Sequence, residues 1–259
     1  MLADRFDAFL FDLDGVLYRG DEAVPGAPET VAALRELGKG IAFVTNNSSK
    51  TPEAVSARLI GVGIAASPGE VETSALTTAA LLAARGVSDA YVIGGEGVRR
   101  ALADAGVAVL EGEPRAAGAV VVGFDPEVDY AKLRRASLLV EAGTPFIATN
   151  PDASFPAAGG ERWPGAGALV AAVETTTGVR AEVVGKPNAP ILRAALARAG
   201  GGRPLMVGDR LDTDLAGAVT MGWPSFLVLT GISSREDVRS CPFAPSYIWD
   251  DLSLLTDPD

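Results

Sequence analysis

Short apolar runs alternate with segments of helical period along most of this chain. The runs are rich in Val, Ile and Phe, and the segments between them are rich in Ala, Leu and Arg. This alternation of strands and helices favours an α/β fold with a largely parallel sheet. The predicted strands are 7–12, 41–45, 90–93, 119–122, 145–148, 181–184, 204–207 and 225–229. The predicted helices are 28–37, 52–61, 74–85, 96–105, 130–142, 165–177, 188–199 and 212–221.

Four of the predicted strands end in polar or glycine residues, in the stretches FDLDG, VTNNSS, VVGKPN and MVGDRLDTD. The carboxyl ends of parallel strands lie along one edge of a sheet, where the connecting loops form a ligand crevice. We therefore expect residues 12–15, 45–48, 185–188 and 208–214 to meet in one site. Acids at such an edge can be solvated or bind a cation, whereas burying one without a partner costs several kcal/mol.

The spacing of these stretches divides the chain into a core and an insertion. The chain between Asn47 and Lys186 is far longer than a crossover between strands needs, and it has its own alternation of strands and helices. We predict a doubly wound, Rossmann-like core with a parallel sheet, formed by residues 1–85 and 182–259. Residues 86–181 are predicted to form a smaller inserted α/β domain.

The composition excludes several classes of function. The 259 residues carry a formal net charge of −11, which argues against nucleic acid as a partner because such binding relies on Lys and Arg. The chain has no histidine, which excludes zinc sites with His ligands and Ser-His-Asp triads. The single cysteine, Cys241, cannot form an intrachain disulfide, and it favours a cytoplasmic location. We expect no membrane partner, because no apolar run approaches the length of a membrane span.

The residues at the predicted sheet edge suit phosphoryl chemistry. Asp12 can act as a nucleophile toward phosphorus, and Asp14 can act as a general acid. A carboxylate that approaches a phosphate is repelled by about 4 kcal/mol per pair of unit charges at about 4 Å, for an effective dielectric near 20, so the site needs cations. Lys186 supplies one, and Mg²⁺, which prefers oxygen ligands, supplies another. The predicted ligands of the metal are Asp12, Asp209 and the Asp14 carbonyl, and the predicted phosphate cradle is Thr45 with the amides around Asn46.

The same stretches resemble the four motifs of the haloacid-dehalogenase (HAD)-type phosphatases. DLDGVLYRG is similar to the first motif, D-x-D-G-[TV], and VTNNS resembles the second. GKPN resembles the third motif, and GDRLDTD resembles the fourth, G-D-x-x-x-x-D. Their order and spacing resemble the subclass with a large α/β cap between the second and third motifs, the NagD-like or p-nitrophenylphosphatase-like group (class IIA). The likeness continues into the cap through ATNPD at 148–152 and PGAGALVAAVE at 164–174.

This resemblance implies a Mg²⁺-dependent phosphomonoesterase. Asp12 would form an aspartyl-phosphate intermediate, and Asp14 would protonate the leaving alcohol and then activate the hydrolytic water. Asp214 would orient the waters of the metal or Lys186. The implied metal ligands are Asp12, Asp14 and Asp209, and the implied phosphate-binding residues are Thr45, Asn46, Asn47 and Lys186.

The implied cap would close over the sheet edge and exclude water, which favours a small phosphorylated metabolite as substrate. The predicted residues of the substrate pocket are Asn150, Asp152, Phe155 and Trp163. Phe155 and Trp163 could instead seal the cap against the core. A homodimer formed through the cap is possible, but no sequence feature demonstrates one.

Two other functions use the same residues. A phosphotransferase or phosphomutase would pass the phosphoryl group from Asp12 to an acceptor alcohol, although the resemblance implies that mutases carry their cap between the first two motifs. A phospho-accepting regulatory module would hold the phosphate on Asp12 as a signal. Asp14 argues against that module, because a built-in acid and base hastens loss of the phosphoryl group.

Overall fold

The computed structural model describes residues 1–156 and 161–257. The chain forms two compact units. The first unit comprises Met1–Thr45, Pro52–Glu72 and Lys186–Asp259. The second unit comprises Asn46–Thr51 and Thr73–Gly185.

The elements follow one another in the alternating order that the sequence predicts. The strands are β1 (Ala8–Phe11), β2 (Tyr18–Arg19), β3 (Glu22–Ala23), β4 (Gly40–Thr45), β5 (Val71–Thr73), β6 (Asp89–Ile93), β7 (Ala108–Leu110), β8 (Ala119–Val122), β9 (Phe146–Ala148), β10 (Ser154–Pro156), β11 (Arg162–Pro164), β12 (Glu182–Val183), β13 (Pro204–Gly208), β14 (Ser225–Val228) and β15 (Tyr247–Trp249). The α-helices are α1 (Ala27–Glu36), α2 (Pro52–Gly61), α3 (Ser74–Ala84), α4 (Glu96–Asp104), α5 (Tyr130–Glu141), α6 (Ala166–Thr177), α7 (Ala189–Arg198), α8 (Ala216–Met221) and α9 (Arg235–Ser240). A π-helix covers Leu211–Leu215, directly before α8.

The first unit is built on a six-stranded sheet with the strand order β15-β14-β13-β1-β4-β5. β1 pairs in parallel with β4 on one side and with β13 on the other, and β14 and β15 continue the parallel pairing beyond β13. The chain order of the strands therefore reverses on the two sides of β1. In sheets of this kind ligands bind beside the carboxyl ends of the strands at such a reversal.

The central strand β1 is apolar throughout because both of its faces are covered. Phe9 and Phe11 point into one hydrophobic cluster, and Ala8 and Leu10 point into another. All four residues are fully buried. Burying a large apolar side chain contributes roughly 1.5–3 kcal/mol, so this strand is a fixed support for whatever follows it.

The second unit has its own five-stranded sheet, in the order β12-β9-β8-β6-β7, and its four strand pairs are all parallel. Apolar residues of α3 and α4 form one hydrophobic cluster with this sheet, and those of α5 and α6 form the other. β10 and β11 form a separate antiparallel hairpin. The predicted α/β class with parallel sheets is confirmed.

The boundaries between the two units differ from the predicted boundaries of 85/86 and 181/182. They lie at 45/46, 51/52, 72/73 and 185/186. α3, expected in the core, belongs to the second unit, where Ala79 and Leu82 lie in one hydrophobic cluster with Leu102 of α4. β12, expected to open the last core segment, pairs with β9 in the second unit. In both places the partner is another element of the second unit, which the pattern within the element itself does not reveal.

Several short elements are absent from the sequence prediction. They are the strands β2, β3, β5, β7, β10, β11 and β15 and the helix α9. Each has at most six residues, too few to show a clear period. In the part of the chain that the structure describes, no helix is both long and apolar enough to cross a membrane.

Candidate active site

β1 carries the first predicted acid to the edge of the sheet. Phe11 is paired with Val207 and Phe43 on the two neighbouring strands, and the amide of Asp12 donates to the Val207 carbonyl at 2.9 Å. The Asp12 side chain is 14% exposed. Asp12 therefore stands at the carboxyl end of the central strand, where the sheet order reverses.

Lys186 is the cation beside this acid. Its Nζ atom donates to Asp12 Oδ1, lies 2.7 Å from Asp214 Oδ1, and donates to the Val44 carbonyl at 3.1 Å. Burial by itself would lower the pKa of Lys186, but the charges of Asp12 and Asp214 outweigh it and raise that pKa. The buried ammonium is therefore charged and paired, as buried charges must be.

Asp12, Asp209 and Asp214 form a cluster that fits a divalent cation. One carboxylate oxygen of each lies within 4.8 Å of the other two. Among the described residues, the buried Oδ1 atom of Asp209 has no hydrogen-bond partner. Buried polar atoms normally have one, and a hard cation with oxygen ligands would supply it.

The electrostatics of the cluster favour such a cation. Burial, and after it the charge of Asp214, raise the pKa of Asp209 to about 7. Burial also raises the pKa of Asp12, opposed by Lys186 and reinforced by Asp214 and Asp209. The single positive charge of Lys186 does not balance three carboxylates that lie this close to one another. A second positive charge would therefore stabilise the ionised forms of these acids.

Glycines make room for the acids. A Cβ atom on Gly231 would lie 1.9 Å from Asp209 Oδ2, and one on Gly15 would lie 2.6 Å from the same oxygen. The amide of Ile232 donates to this Oδ2 atom at 2.7 Å. The backbone of 231–232 therefore approaches Asp209 more closely than a residue with a side chain would allow.

Asp14, the second acid of the first motif, stands in a different environment. It is exposed to solvent on one side, and the protein around the rest of the carboxyl partly desolvates it, which raises its pKa. The positive charges of Arg58 and Lys186 oppose that rise. A raised pKa keeps a larger fraction of the carboxyl protonated, as a general acid requires.

The second predicted motif begins at the end of β4. Thr45 is buried and belongs to the first unit, whereas Asn46 and Asn47 belong to the second. In the second unit the Asn46 carbonyl accepts hydrogen bonds from Ser74 Oγ and Asn150 Nδ2, both at 2.7 Å. Two side chains therefore fix the backbone of this motif.

The four predicted pocket residues of the second unit differ in what they expose. Asn150 is buried, and besides its bond to Asn46 its Oδ1 atom accepts from the Asp152 amide at 3.1 Å. Phe155 and Trp163 face each other across the β10–β11 hairpin, with ring centroids 6.2 Å apart. Trp163 is 50% exposed. Trp163 therefore has surface available to a ligand, whereas the polar groups of Asn150 are used inside the unit.

Comparison with known proteins places the chain in a family. A family model described as haloacid dehalogenase-like hydrolase matches residues 9–108, and one described as HAD-hydrolase-like matches residues 183–255. An acid sugar phosphatase of Staphylococcus epidermidis is 39% identical over 253 residues, which are 96% of each chain. The chain belongs to the haloacid dehalogenase-like hydrolases.

Solved structures of HAD-like hydrolases agree with the predicted subclass. NagD of Escherichia coli K-12 is 31% identical with a TM-score of 0.89, and the match covers 97% of this chain and 98% of that one. A glycerol phosphate phosphatase of Mycobacterium tuberculosis, solved in complex with magnesium, is 36% identical with a TM-score of 0.92, over 98% of this chain and 77% of that one. The same enzyme has been solved with calcium. This chain is a NagD-like HAD phosphatase, as predicted, and its acid cluster fits a divalent metal.

Two residues of the site escaped the sequence analysis. Arg58 lies close enough to Asp14 to act on its pKa, and Gly231 packs against Asp209. Gly231 has a detectable signal, because it closely follows the apolar strand β14 in the stretch VLTG, as glycines follow other strands at this edge. Arg58 has no such signal in the sequence, because one arginine on an amphipathic helix usually marks a solvated face.

Proposed function

We propose that this HAD phosphatase is a Mg²⁺-dependent phosphomonoesterase in which Asp12 is the nucleophile. The observation that carries the proposal is the buried cluster in which Lys186 and a candidate cation site flank the Asp12 carboxylate. A phosphate ester brings up to two negative charges toward Asp12. Positive charge held in place before the reaction offsets that repulsion and stabilises the transition state.

The proposed reaction has two steps. An Asp12 carboxylate oxygen attacks phosphorus, the bond from phosphorus to the ester oxygen breaks, and Asp14 gives its proton to the departing alkoxide. The Asp14 carboxylate then takes a proton from a water molecule, whose oxygen attacks the phosphorus of the aspartyl phosphate. The acyl phosphate bond breaks, which regenerates the Asp12 carboxylate and releases inorganic phosphate.

The other residues bind and orient. Asp12, Asp209 and the Asp14 carbonyl would hold Mg²⁺, whose charge would keep the acids ionised and offset the charge of the phosphoryl oxygens. Asp214 orients Lys186, to which it is paired. By resemblance to the family, the residues that bind the phosphoryl oxygens are Thr45, Asn46, Asn47 and Lys186.

The substrate that we propose is a small sugar phosphate or glycerol phosphate. The named activities of two relatives, an acid sugar phosphatase and a glycerol phosphate phosphatase, support this class. The exposed indole of Trp163 and the neighbouring Phe155 suit the apolar face of a sugar ring. We propose a cytoplasmic location, with which the single cysteine agrees.

The test is phosphate release from p-nitrophenyl phosphate, glycerol phosphate and a panel of sugar phosphates, with Mg²⁺ and with EDTA. Asp12→Asn should abolish turnover. Asp212→Asn is the matched control, because Asp212 lies in the fourth motif but is exposed and paired with Arg210. Turnover by wild type in EDTA, or by Asp12→Asn at the rate of Asp212→Asn, would contradict the proposal.

A further inference from the structure

The β2–β3 hairpin is bonded to the backbone on both sides of Asp14. The amide of Gly15 donates to the Tyr18 carbonyl at 2.9 Å, and the amide of Leu17 donates to the Leu13 carbonyl at 2.9 Å. Tyr18 also forms an isolated bridge with Asp14. The position of Tyr18 is therefore coupled to the position of Asp14.

This hairpin is too small to be stable by itself. It consists of two two-residue strands, in which Tyr18 pairs with Ala23 and Arg19 pairs with Glu22, closed by a turn at Gly20 and Asp21. An isolated two-stranded hairpin is marginally stable at best in water. Its position must come from contacts with the rest of the first unit.

Arg58 of α2 supplies two such contacts. Its guanidinium carbon lies 4.2 Å from the centroid of the Tyr18 ring, and its Nη2 atom donates to the Gly20 carbonyl at 2.7 Å. A planar guanidinium can stack on a ring and donate in its own plane together, which an ammonium cannot do equally well. Arg58 thus holds one strand of the hairpin and its turn.

The helix that carries Arg58 is itself fixed. Val55 and Leu59 of α2 are buried in the same hydrophobic cluster as Phe43 of β4. Arg58 is exposed, so its contacts are made at the surface of a helix anchored to the sheet. The contacts therefore run from the sheet through α2 and Arg58 to the hairpin, and through Tyr18 to Asp14.

We propose that Arg58 is a positioning residue that clamps the β2–β3 hairpin and so holds Asp14 in place for proton transfer to the leaving group. The inference rests on the proposed role of Asp14 as general acid. The proton moves from the Asp14 carboxyl to the ester oxygen while the bond from that oxygen to phosphorus breaks. A displaced Asp14 carboxyl slows this step most when the departing oxygen needs the proton.

Two substrates separate this role from a purely structural one. p-Nitrophenolate leaves readily without a proton, whereas the alkoxide of glycerol does not. The value of kcat/KM covers the steps up to the aspartyl phosphate. For Arg58→Met we expect a loss of about tenfold with glycerol phosphate and less than about threefold with p-nitrophenyl phosphate, which is part of the roughly 10²–10⁴-fold that general acid catalysis supplies. Arg58→Lys should restore part of the loss.

Three further variants complete the experiment. Asp14→Asn should show the same preference for the good leaving group in a stronger form, and Arg193→Met, a change at an exposed residue of α7, should leave both values unchanged. Arg58→Gln replaces Arg58→Met if the latter does not fold. Equal losses of Arg58→Met on both substrates, or none, with Asp14→Asn still discriminating, would overturn the clamp alone. A non-discriminating Asp14→Asn would overturn the proposed role of Asp14 and the clamp with it.

Discussion

The Nζ atom of Lys186 lies 2.7 Å from Asp214 Oδ1, and both side chains are almost completely buried. The same Nζ atom is bonded to Asp12. One lysine therefore links the proposed nucleophile to an acid of the fourth motif. A buried pair of this kind contributes little net stability, but removing one partner leaves an uncompensated buried charge.

Replacing this lysine should destabilise the protein as well as inactivate it. For Lys186→Met we expect the free energy of unfolding to fall by about 3–5 kcal/mol, because Asp12 and Asp214 lose their common partner. Urea unfolding measures it. Lys50→Met, at an exposed lysine, is the control and should be neutral. A Lys186→Met variant as stable as the control would mean that the acids are not ionised in the folded protein.

A methyl group on Gly231 should weaken metal binding. The Cβ atom of Gly231→Ala would lie 1.9 Å from Asp209 Oδ2 and must displace that carboxylate. We expect Mg²⁺ affinity to fall by roughly 10–100-fold, as for other changes that disturb the orientation of a ligand. Calorimetric titration with Mg²⁺ measures it. Gly61→Ala on α2, whose Cβ atom would meet nothing within 4 Å, should bind as wild type does; equal affinities of the two variants would remove Asp209 from the site.

Mg²⁺ binding should weaken below neutral pH. The pKa of Asp209 is raised to about 7, mainly by burial, so a proton competes with the metal below that pH. The dissociation constant for Mg²⁺ should rise toward tenfold per unit as the pH falls below about 7. An affinity that does not change between about pH 8 and pH 5.5 would contradict the assignment of Asp209 as a ligand.

The stability of the metal-free protein should change with pH in the opposite sense. An acid whose pKa is higher in the folded protein stabilises it below the unfolded pKa, and that contribution is lost as the pH rises through the folded value. For Asp209 this window runs from its ordinary 3.8 to about 7. The Tm without metal should therefore fall between about pH 4 and pH 7, and Mg²⁺ should restore it at pH 8. A Tm that rises through this range without metal would contradict the raised pKa.

We expect Asn150 to have a structural role, whereas the sequence predicts it in the substrate pocket. Its amide donates to the Asn46 carbonyl and to Thr149 Oγ1. Asn150→Asp removes both donors, and we expect a loss of about 1–3 kcal/mol in the free energy of unfolding. A variant with the wild-type Tm and a raised KM would show instead that Asn150 contacts the substrate.

The sequence predicts which acids lie together at one edge of the sheet in the first unit, because the signal is local. FLFDLD reads as a strand buried on both faces that ends in acids, and GDRLDTD follows another strand in the same way. Parallel strands bring their carboxyl ends together. The proximity of Asp12 and Asp209 can therefore be predicted without knowing the contacts of their side chains.

The features that the sequence does not reveal depend on contacts with other elements of the fold. Arg58 has the pattern of a surface arginine until the hairpin at Tyr18 is folded against it. The assignment of α3 to the second unit depends on its packing with α4, which no local period encodes. The hydrogen bond of Asn150 to the second motif likewise cannot be predicted from the sequence, because its partner Asn46 lies 104 residues away.

A covalent phosphate on Asp12 can be detected by acid quenching during turnover, followed by trypsin and mass spectrometry. Cleavage after Arg5 and Arg19 releases residues 6–19, which contain Asp7, Asp12 and Asp14. We expect a phosphoryl group on this peptide, localised to Asp12 by fragmentation and absent from Asp12→Asn. Full phosphate release with no phosphoryl group on the peptide, or with the group on another residue, would show that Asp12 is not the nucleophile.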